Sequence, residues 1–113
     1  QYALQQKAYT GNYGIRMVGD RYCVALGSYY TTKIGTKFDL IMENGSVIKC
    51  ILADVKADIH TDATNRITVA NGCISEFVVD MSALNRNVLR DGTISSCNKQ
   101  FRGRIKKIKI YKK

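Results

Sequence analysis

The chain has 113 residues, of which 45% are hydrophobic and 24% charged, and its formal net charge at pH 7 is +9. This size and composition fit a single globular domain with one modest core, and they exclude a disordered chain. No stretch approaches the roughly 20 apolar residues that a membrane-spanning helix needs. The positive charge favours an anionic partner such as nucleic acid, an acidic membrane or a phosphate-rich wall polymer, although it equally suits a surface that is merely soluble.

The predicted elements begin with a short linker. Residues 1–8 show no apolar period and are predicted to be a linker, whereas residues 9–113 are predicted to form a single domain. Because the chain begins at Gln1 without an initiator Met, we expect a mature product or a fragment of a longer protein.

From Tyr9 onward, glycine and asparagine turn signals recur between runs rich in Val, Ile, Tyr and Phe, which is typical of a compact β protein. The predicted strands are 15–18, 22–26, 37–42, 47–52, 74–79 and 105–111. The clearest pair is the hairpin at residues 37–52, where Asn44-Gly45 separates two strand-like runs. We expect a type I′ turn there, which requires φ > 0 at both central residues.

One segment departs from the β pattern. Apolar residues recur at helical spacing from Met81 to Leu89, so we predict one short helix there, with Asp80 or Ser82 as its N-cap.

The four cysteines lie at positions 23, 50, 73 and 97, and no two of them form a C-x-x-C pair. This spacing argues against a zinc ribbon or a thioredoxin-like motif. In an oxidising compartment the four would allow three disulfide connectivities, and the sequence does not choose among them. Cys23 and Cys50 lie inside apolar strand-like runs, so we interpret both as small core residues.

The acidic residues suggest where chemistry could occur. Asp54 follows a strongly apolar run, so a rigid backbone would hold its carboxylate while the side chain reaches solvent. If residues 58–62 are extended, Asp58, His60 and Asp62 share one face. The alternative is a solvated loop in which these acids cap turns. Glu76 alternates with apolar residues, so it lies either at a wet strand edge or partly buried, as suits a general acid.

Four short motifs occur in a characteristic order: Val24-Ala-Leu-Gly-Ser28, Ile34-Gly-Thr-Lys-Phe38, Ile51-Leu-Ala-Asp54 and Ser75-Glu-Phe-Val78. Together they resemble the double-psi β-barrel of the three-aspartate domains. These domains are relatives of membrane-bound lytic transglycosylase A and, more distantly, of rare lipoprotein A and the expansins. The resemblance covers residues 24–79, and it implies a mainly β fold, a six-stranded double-psi β-barrel with one short helix.

The resemblance also implies roles for individual residues. Asp54 stands at the family's second acidic position, and Glu76 at the third, which is regarded as catalytic. Gly27 occupies the place of the first aspartate, so one of the three acids is missing. The Gly-Gly-x-x-Lys-Gly stretch usual after the second aspartate is replaced by a longer insertion at residues 55–72.

The reaction that the resemblance implies is cleavage of peptidoglycan by a lytic transglycosylase, which uses one carboxylic acid. That acid protonates the glycosidic oxygen and then takes the proton from the muramyl sugar's primary hydroxyl, which closes an anhydro ring. We expect Glu76 to be the acid/base and Asp54 to position the sugar or to tune Glu76. Asp58 and His60 are supporting candidates, and Tyr29 and Tyr30 are candidates for stacking on sugar rings.

The predicted setting is a secreted or wall-associated module of a bacterial wall hydrolase or a phage tail lysin. The expected partner is peptidoglycan or another anionic wall polymer, the expected state is a monomer, and no metal or cofactor is expected. The alternative function is a non-catalytic, expansin-like barrel that binds wall glycan.

Three other sites are weaker hypotheses. Cys73 with His60 could form a thiol–imidazole pair, but their spacing does not favour it. The acids and histidine of residues 54–62 could hold a metal, but they lack the spacing of a calcium loop. The basic segment 102–113 carries few aromatic side chains for stacking, which disfavours nucleic acid.

Overall fold

The computed structural model describes residues 2–11, 13–66, 75–79, 81–83 and 104–111, and within them the chain is mainly β. The elements are α1 (Tyr2–Lys7), β1 (Tyr9–Thr10), β2 (Arg16–Val18), β3 (Arg21–Gly27), β4 (Lys37–Met42), β5 (Val47–Lys56), β6 (Ser75–Phe77) and β7 (Ile105–Ile110), with single 3₁₀ turns at Asp58–His60 and Met81–Ala83. Of the helix predicted at 81–89, only this second turn lies within the described residues. Asp80, Cys73 and Cys97 lie outside them.

All seven described strands belong to one sheet. Its order is β1-β2-β3-β5-β4-β7, and β6 also pairs with β3. The central pair, β3 and β5, is parallel, whereas the other pairs are antiparallel. The predicted mainly β class is therefore confirmed. The described strands number seven rather than six, and the sheet that they form is not closed.

The predicted hairpin is confirmed, but its turn type is wrong. Strands β4 and β5 pair with Ile41 opposite Val47, and the amide of Gly45 donates to the carbonyl of Met42 at 3.0 Å. Gly45 has a φ of 90°, whereas Asn44 does not have a positive φ. The connection is thus a type I turn followed by a left-handed glycine, the three-residue loop with a bulge, rather than a type I′ turn.

The two faces of the sheet bury different sets of side chains, because successive residues of a strand point to opposite sides. One side, here called the core face, carries the main cluster of buried residues: Ile15, Val24, Leu26, Phe38, Leu40, Met42, Ile48, Cys50 and Leu52. The opposite side, here called the pocket face, carries a smaller apolar cluster, which among the described residues has three buried members, Cys23, Ile51 and Ala53.

Helix α1 lies within the segment predicted to be a linker. Leu4 and Ala8 pack against the small cluster of the pocket face. The guanidinium of Arg16 holds this segment by donating to the carbonyls of Gln5 at 3.3 Å and Ala8 at 3.1 Å. A helix of six residues is too short to be stable alone, so tertiary contacts rather than a local pattern determine it.

A network of polar side chains joins four strands on the pocket face. Arg21 forms an ion pair with Asp39 at 2.9 Å and also donates to the carbonyls of Phe38 and Cys50. The hydroxyl of Tyr111, directly after β7, donates to the second carboxylate oxygen of Asp39 at 2.5 Å. The network therefore connects β3, β4, β5 and the end of β7.

Cys23 and Cys50 are free thiols, and both are completely buried. This confirms their interpretation as core residues. They lie on opposite faces of the sheet, which rules out a disulfide between them. Burial raises the pKa of both thiols, and most strongly that of Cys50.

Candidate functional site

A pocket opens on the pocket face where β3, β5 and β6 lie side by side. Its volume is about 470 Å³, which is within the range of small-molecule sites and sufficient for a sugar unit. Its lining residues are Ala25, Asp54, Val55, Lys56, Ala57, His60, Glu76, Phe77 and Val78. Three of the predicted site residues, Asp54, His60 and Glu76, therefore line the same pocket.

Strand register explains why Asp54 and Glu76 meet here. Ala25 of β3 is the register partner of Asp54 in β5 on one side and of Glu76 in β6 on the other. Directly opposed residues project to the same face of a sheet, so all three side chains point into the pocket. Two strand spacings separate the Cα atoms of the two acids by roughly 10 Å, and the small side chain of Ala25 lies between them.

A β-bulge places Asp54 on this face. The register of β3 and β5 shifts between Val24 and Ala25, so that Val24 pairs with Leu52 but Ala25 pairs with Asp54, leaving Ala53 as an extra residue. If the register continued without this shift, Ala53 would pair with Ala25 and Asp54 with Leu26, and the Asp54 carboxylate would point to the core face. The bulge thus converts a residue of the core face into a residue of the pocket.

Lys56 is a further member of the site that sequence reasoning missed. Its ammonium nitrogen lies 3.3 Å from Oε1 of Glu76, and its side chain is only 5% exposed, compared with 46% for Glu76. A lysine this deeply buried requires a charged or polar partner. A signal was available: Asp54 and Lys56 are two residues apart, so extending the predicted strand beyond residue 52 would have put them on one face.

Backbone of another segment fills the space beside Gly27. A Cβ atom at Gly27 would overlap the carbonyl oxygen of Asn65, which lies in the segment after β5. The amide of Tyr29 donates to that same carbonyl at 3.2 Å, and Asn65 itself has a left-handed φ of 58°. The segment after β5 therefore packs directly on β3 at Gly27, the position that the resemblance compares with an aspartate.

The hypothesis that Asp58, His60 and Asp62 share one extended face is wrong, because residues 58–60 form a 3₁₀ turn. Asp58 accepts a hydrogen bond from the Ser28 hydroxyl at 2.6 Å and is not a lining residue of the pocket. Asp62 accepts from the backbone amide of Arg66 at 3.1 Å. Both acids therefore stabilise turns, as the alternative interpretation expects, and only His60 reaches the pocket.

The two tyrosines predicted to stack on sugars lie outside this pocket. Tyr29 and Tyr30 pack edge to face with ring centroids 5.3 Å apart, and the guanidinium of Arg66 lies 3.8 Å from the centre of the Tyr29 ring. Tyr30 also packs against the core cluster, and its burial raises the pKa of its hydroxyl. One face of Tyr29 is thus covered by Arg66.

The metal hypothesis does not gain support from the geometry. Within the described ranges, no three or more His, Cys, Asp or Glu side chains lie close enough together to hold a metal ion. The thiol–imidazole hypothesis involves Cys73, which lies outside those ranges.

Comparison with other proteins leaves the site to be interpreted from its own residues. No family model, curated protein or solved structure matches the chain. In the part of the chain that the structure describes, no helix has the length and apolar character needed to cross a bilayer.

Proposed function

We propose that this chain is a peptidoglycan-cleaving domain of the lytic transglycosylase kind, built on a double-psi β-barrel and working at a bacterial cell wall. One observation carries the proposal: two carboxylates from different strands, Asp54 and Glu76, line one open pocket on either side of Ala25. In this proposal Glu76 is the acid/base, and Asp54 binds and orients the sugar.

The ion pair between Lys56 and Glu76 affects both proton transfers of the proposed reaction, because it determines the form in which Glu76 waits for the substrate. As the partner of an ammonium group, Glu76 is a carboxylate, the form that accepts the proton of the sugar's primary hydroxyl. The first step needs the protonated acid, so in this proposal the Glu76 carboxylate takes a proton from solvent and separates from Lys56 before the glycosidic oxygen is protonated.

The same ion pair favours a second candidate function, which is binding of wall glycan without cleavage. A carboxylate held by Lys56 accepts hydrogen bonds from sugar hydroxyls but supplies no proton. The backbone that fills the position beside Gly27 also leaves two acids where the resembled family has three.

Incubation with purified peptidoglycan, followed by mass spectrometry of the released fragments, tests both candidates. For cleavage we expect anhydro-muramyl ends, formed about 10²-fold or more slowly by Glu76→Gln, the usual contribution of a general acid. Asp54→Asn should weaken substrate binding. The control is Glu43→Gln, which removes an exposed acid in the β4–β5 turn and should cleave normally.

The outcomes separate the two functions. Fragments that form equally well with Glu76→Gln contradict its role as the acid/base. Retention of the unaltered protein on peptidoglycan with no released fragments contradicts cleavage and supports the binding function.

A further inference from the structure

A second feature of the pocket face lies beside the pocket, on β4, β5 and β7. It is a group of four exposed lysines, here called the lysine face: Lys37, Lys49, Lys107 and Lys109. The register places Lys109 and Lys49 on either side of Asp39, and Lys107 lies two residues before Lys109 on the same side of β7. All four side chains therefore project from one side of the sheet.

Nearby acids do not cancel the charge of the lysine face. Asp39 is 7% exposed, and its carboxylate is already bound by Arg21 and by the hydroxyl of Tyr111. Asp20 does pair with Lys49 at 3.3 Å, and this ammonium holds the pKa of the Asp20 carboxyl below its usual value. Both partners are largely exposed, however, and such pairs exchange readily with other ions.

The spacing of the lysines suits a flexible chain of charges. Lys107 and Lys109 are about 7 Å apart along β7, and Lys109 and Lys49 are roughly 10 Å apart across β4, from standard strand dimensions. A phosphodiester chain lying across these strands contacts several ammonium groups at once, and each contact releases a counterion. Lysine is a point charge on a mobile stem, which suits diffuse contact with phosphates rather than fixed bidentate recognition.

Among the described residues of this face, the aromatic side chain is that of Tyr111, which is 39% exposed but already has three partners. The ring of Tyr111 lies 5.3 Å from the Arg21 guanidinium and 5.1 Å from the Lys109 ammonium, and its hydroxyl is bound to Asp39. Proteins that bind single-stranded nucleic acid combine a basic groove with open aromatic rings. The lysine face has the charge of such a groove, but its one described ring is held between partners and stands alone, which favours a polymer that carries phosphates but no bases.

The geometry points to the lysine face as a binding surface for an anionic polyol phosphate polymer of the bacterial wall, separate from the pocket that holds Glu76. The choice of a wall polymer rests on the proposed function, whereas the position of the binding surface does not. Such binding would hold the domain on the wall with the pocket directed to the same side.

The test is a titration of the full chain with poly(glycerol phosphate) at several salt concentrations between 50 and 200 mM. We expect binding that weakens steeply with salt. In Lys107→Gln/Lys109→Gln the affinity should fall about tenfold at the lowest salt, and the log–log salt slope should decrease in magnitude by about 1.4, which is about 0.7 for each lost phosphate contact. The matched control is Lys7→Gln/Lys33→Gln, which removes the same charge from α1 and from the loop before β4 and should bind almost normally.

Three results would overturn the inference: no salt-dependent binding, an equal loss in the control pair, or tighter binding of oligothymidine with the same number of phosphates. The last result would identify nucleic acid as the partner. Glu76→Gln should bind the polymer normally, so failure of the proposed cleavage and failure of this inference are distinguishable.

Discussion

The core face and the pocket face of the central sheet are made by the same strands, yet they differ in almost every property. Among the described residues, the core face packs nine buried apolar residues into one cluster, whereas the apolar cluster of the pocket face has three, and that face otherwise carries the pocket, the Arg21–Asp39 network and the lysine face. The two-residue period of a strand separates the residues that stabilise the fold from those available for chemistry. At the bulge, where Ala53 is the extra residue of β5, the alternation shifts by one residue. Asp54 therefore points to the pocket face instead of the core face.

The largest expected effect is on the core face. Phe38 is completely buried, so Phe38→Ala should lower the free energy of unfolding by about 3–5 kcal/mol through lost burial and the remaining cavity. Chemical denaturation measures this. The neighbouring strand supplies the control, because Val47 is 53% exposed on the opposite face, and Val47→Ala should change stability by less than about 0.5 kcal/mol. Similar losses in both variants would contradict the division between the faces.

The next effect concerns the polar network of the pocket face. Asp39→Asn removes a carboxylate that binds Arg21 and Tyr111 and leaves a nearly buried guanidinium without its counter-charge. We expect a loss of about 2–3 kcal/mol, because breaking one side of a buried ion pair is costly. Asp20→Asn breaks the exposed pair with Lys49 and should leave the unfolding midpoint unchanged. Full stability of Asp39→Asn would show that this network does not hold the strands together.

A third variant tests the contact behind the pocket. Gly27→Ala places a methyl group against the Asn65 carbonyl, so the segment after β5 must move, at a cost of about 2 kcal/mol. The amide of Tyr29 loses its acceptor when this happens. We therefore expect faster hydrogen exchange at Tyr29, measured by NMR. Unchanged exchange and unchanged stability would mean that this position can accept the aspartate of the resembled family.

The smallest effect appears in alkaline solution. Burial raises the pKa of the Cys50 thiol above its unfolded value of about 8.5, so the unfolded chain loses this proton first. The stabilising contribution is complete below about pH 8.5 and is progressively lost as the pH rises above that value. Between pH 7.5 and 9.5 the protein should lose about 1 kcal/mol more stability than Cys50→Ala, as measured by urea unfolding. Equal losses in both proteins would contradict this account.

Much of the fold could be predicted because its strongest signals are local. Asn44-Gly45 and the flanking apolar runs indicated the hairpin, and the alternation at the end of the chain indicated β7. The exact turn type could not be predicted, because Asn-Gly fits both turns and the surrounding strands choose between them. Helix α1 was missed for a related reason, since its stability comes from contacts with residues far along the chain.

The candidate site was only partly predictable. The expectation that Asp54 and Glu76 share a site came from the resemblance. In the structure they share it because both are register partners of Ala25, and no local sequence pattern contains this register. Lys56 was missed because its importance comes from the ion pair with Glu76. For Asp58 and Asp62 both a shared extended face and a loop with capping acids were open from the sequence, because the 3₁₀ turn at Asp58–His60 carries no strong sequence signal.

The pairing of β4 with β7 has a consequence for how the chain reaches its native state. Asp39 and Tyr111, which meet at this pairing, are 72 positions apart, so it closes a long loop. Long-range pairing of this kind slows folding, because chain entropy is lost before many contacts form. During synthesis β4 emerges well before β7, and meanwhile one edge of β4 lacks its native neighbour. Nascent chains halted before β7 should therefore be the species most prone to aggregation and most dependent on chaperones.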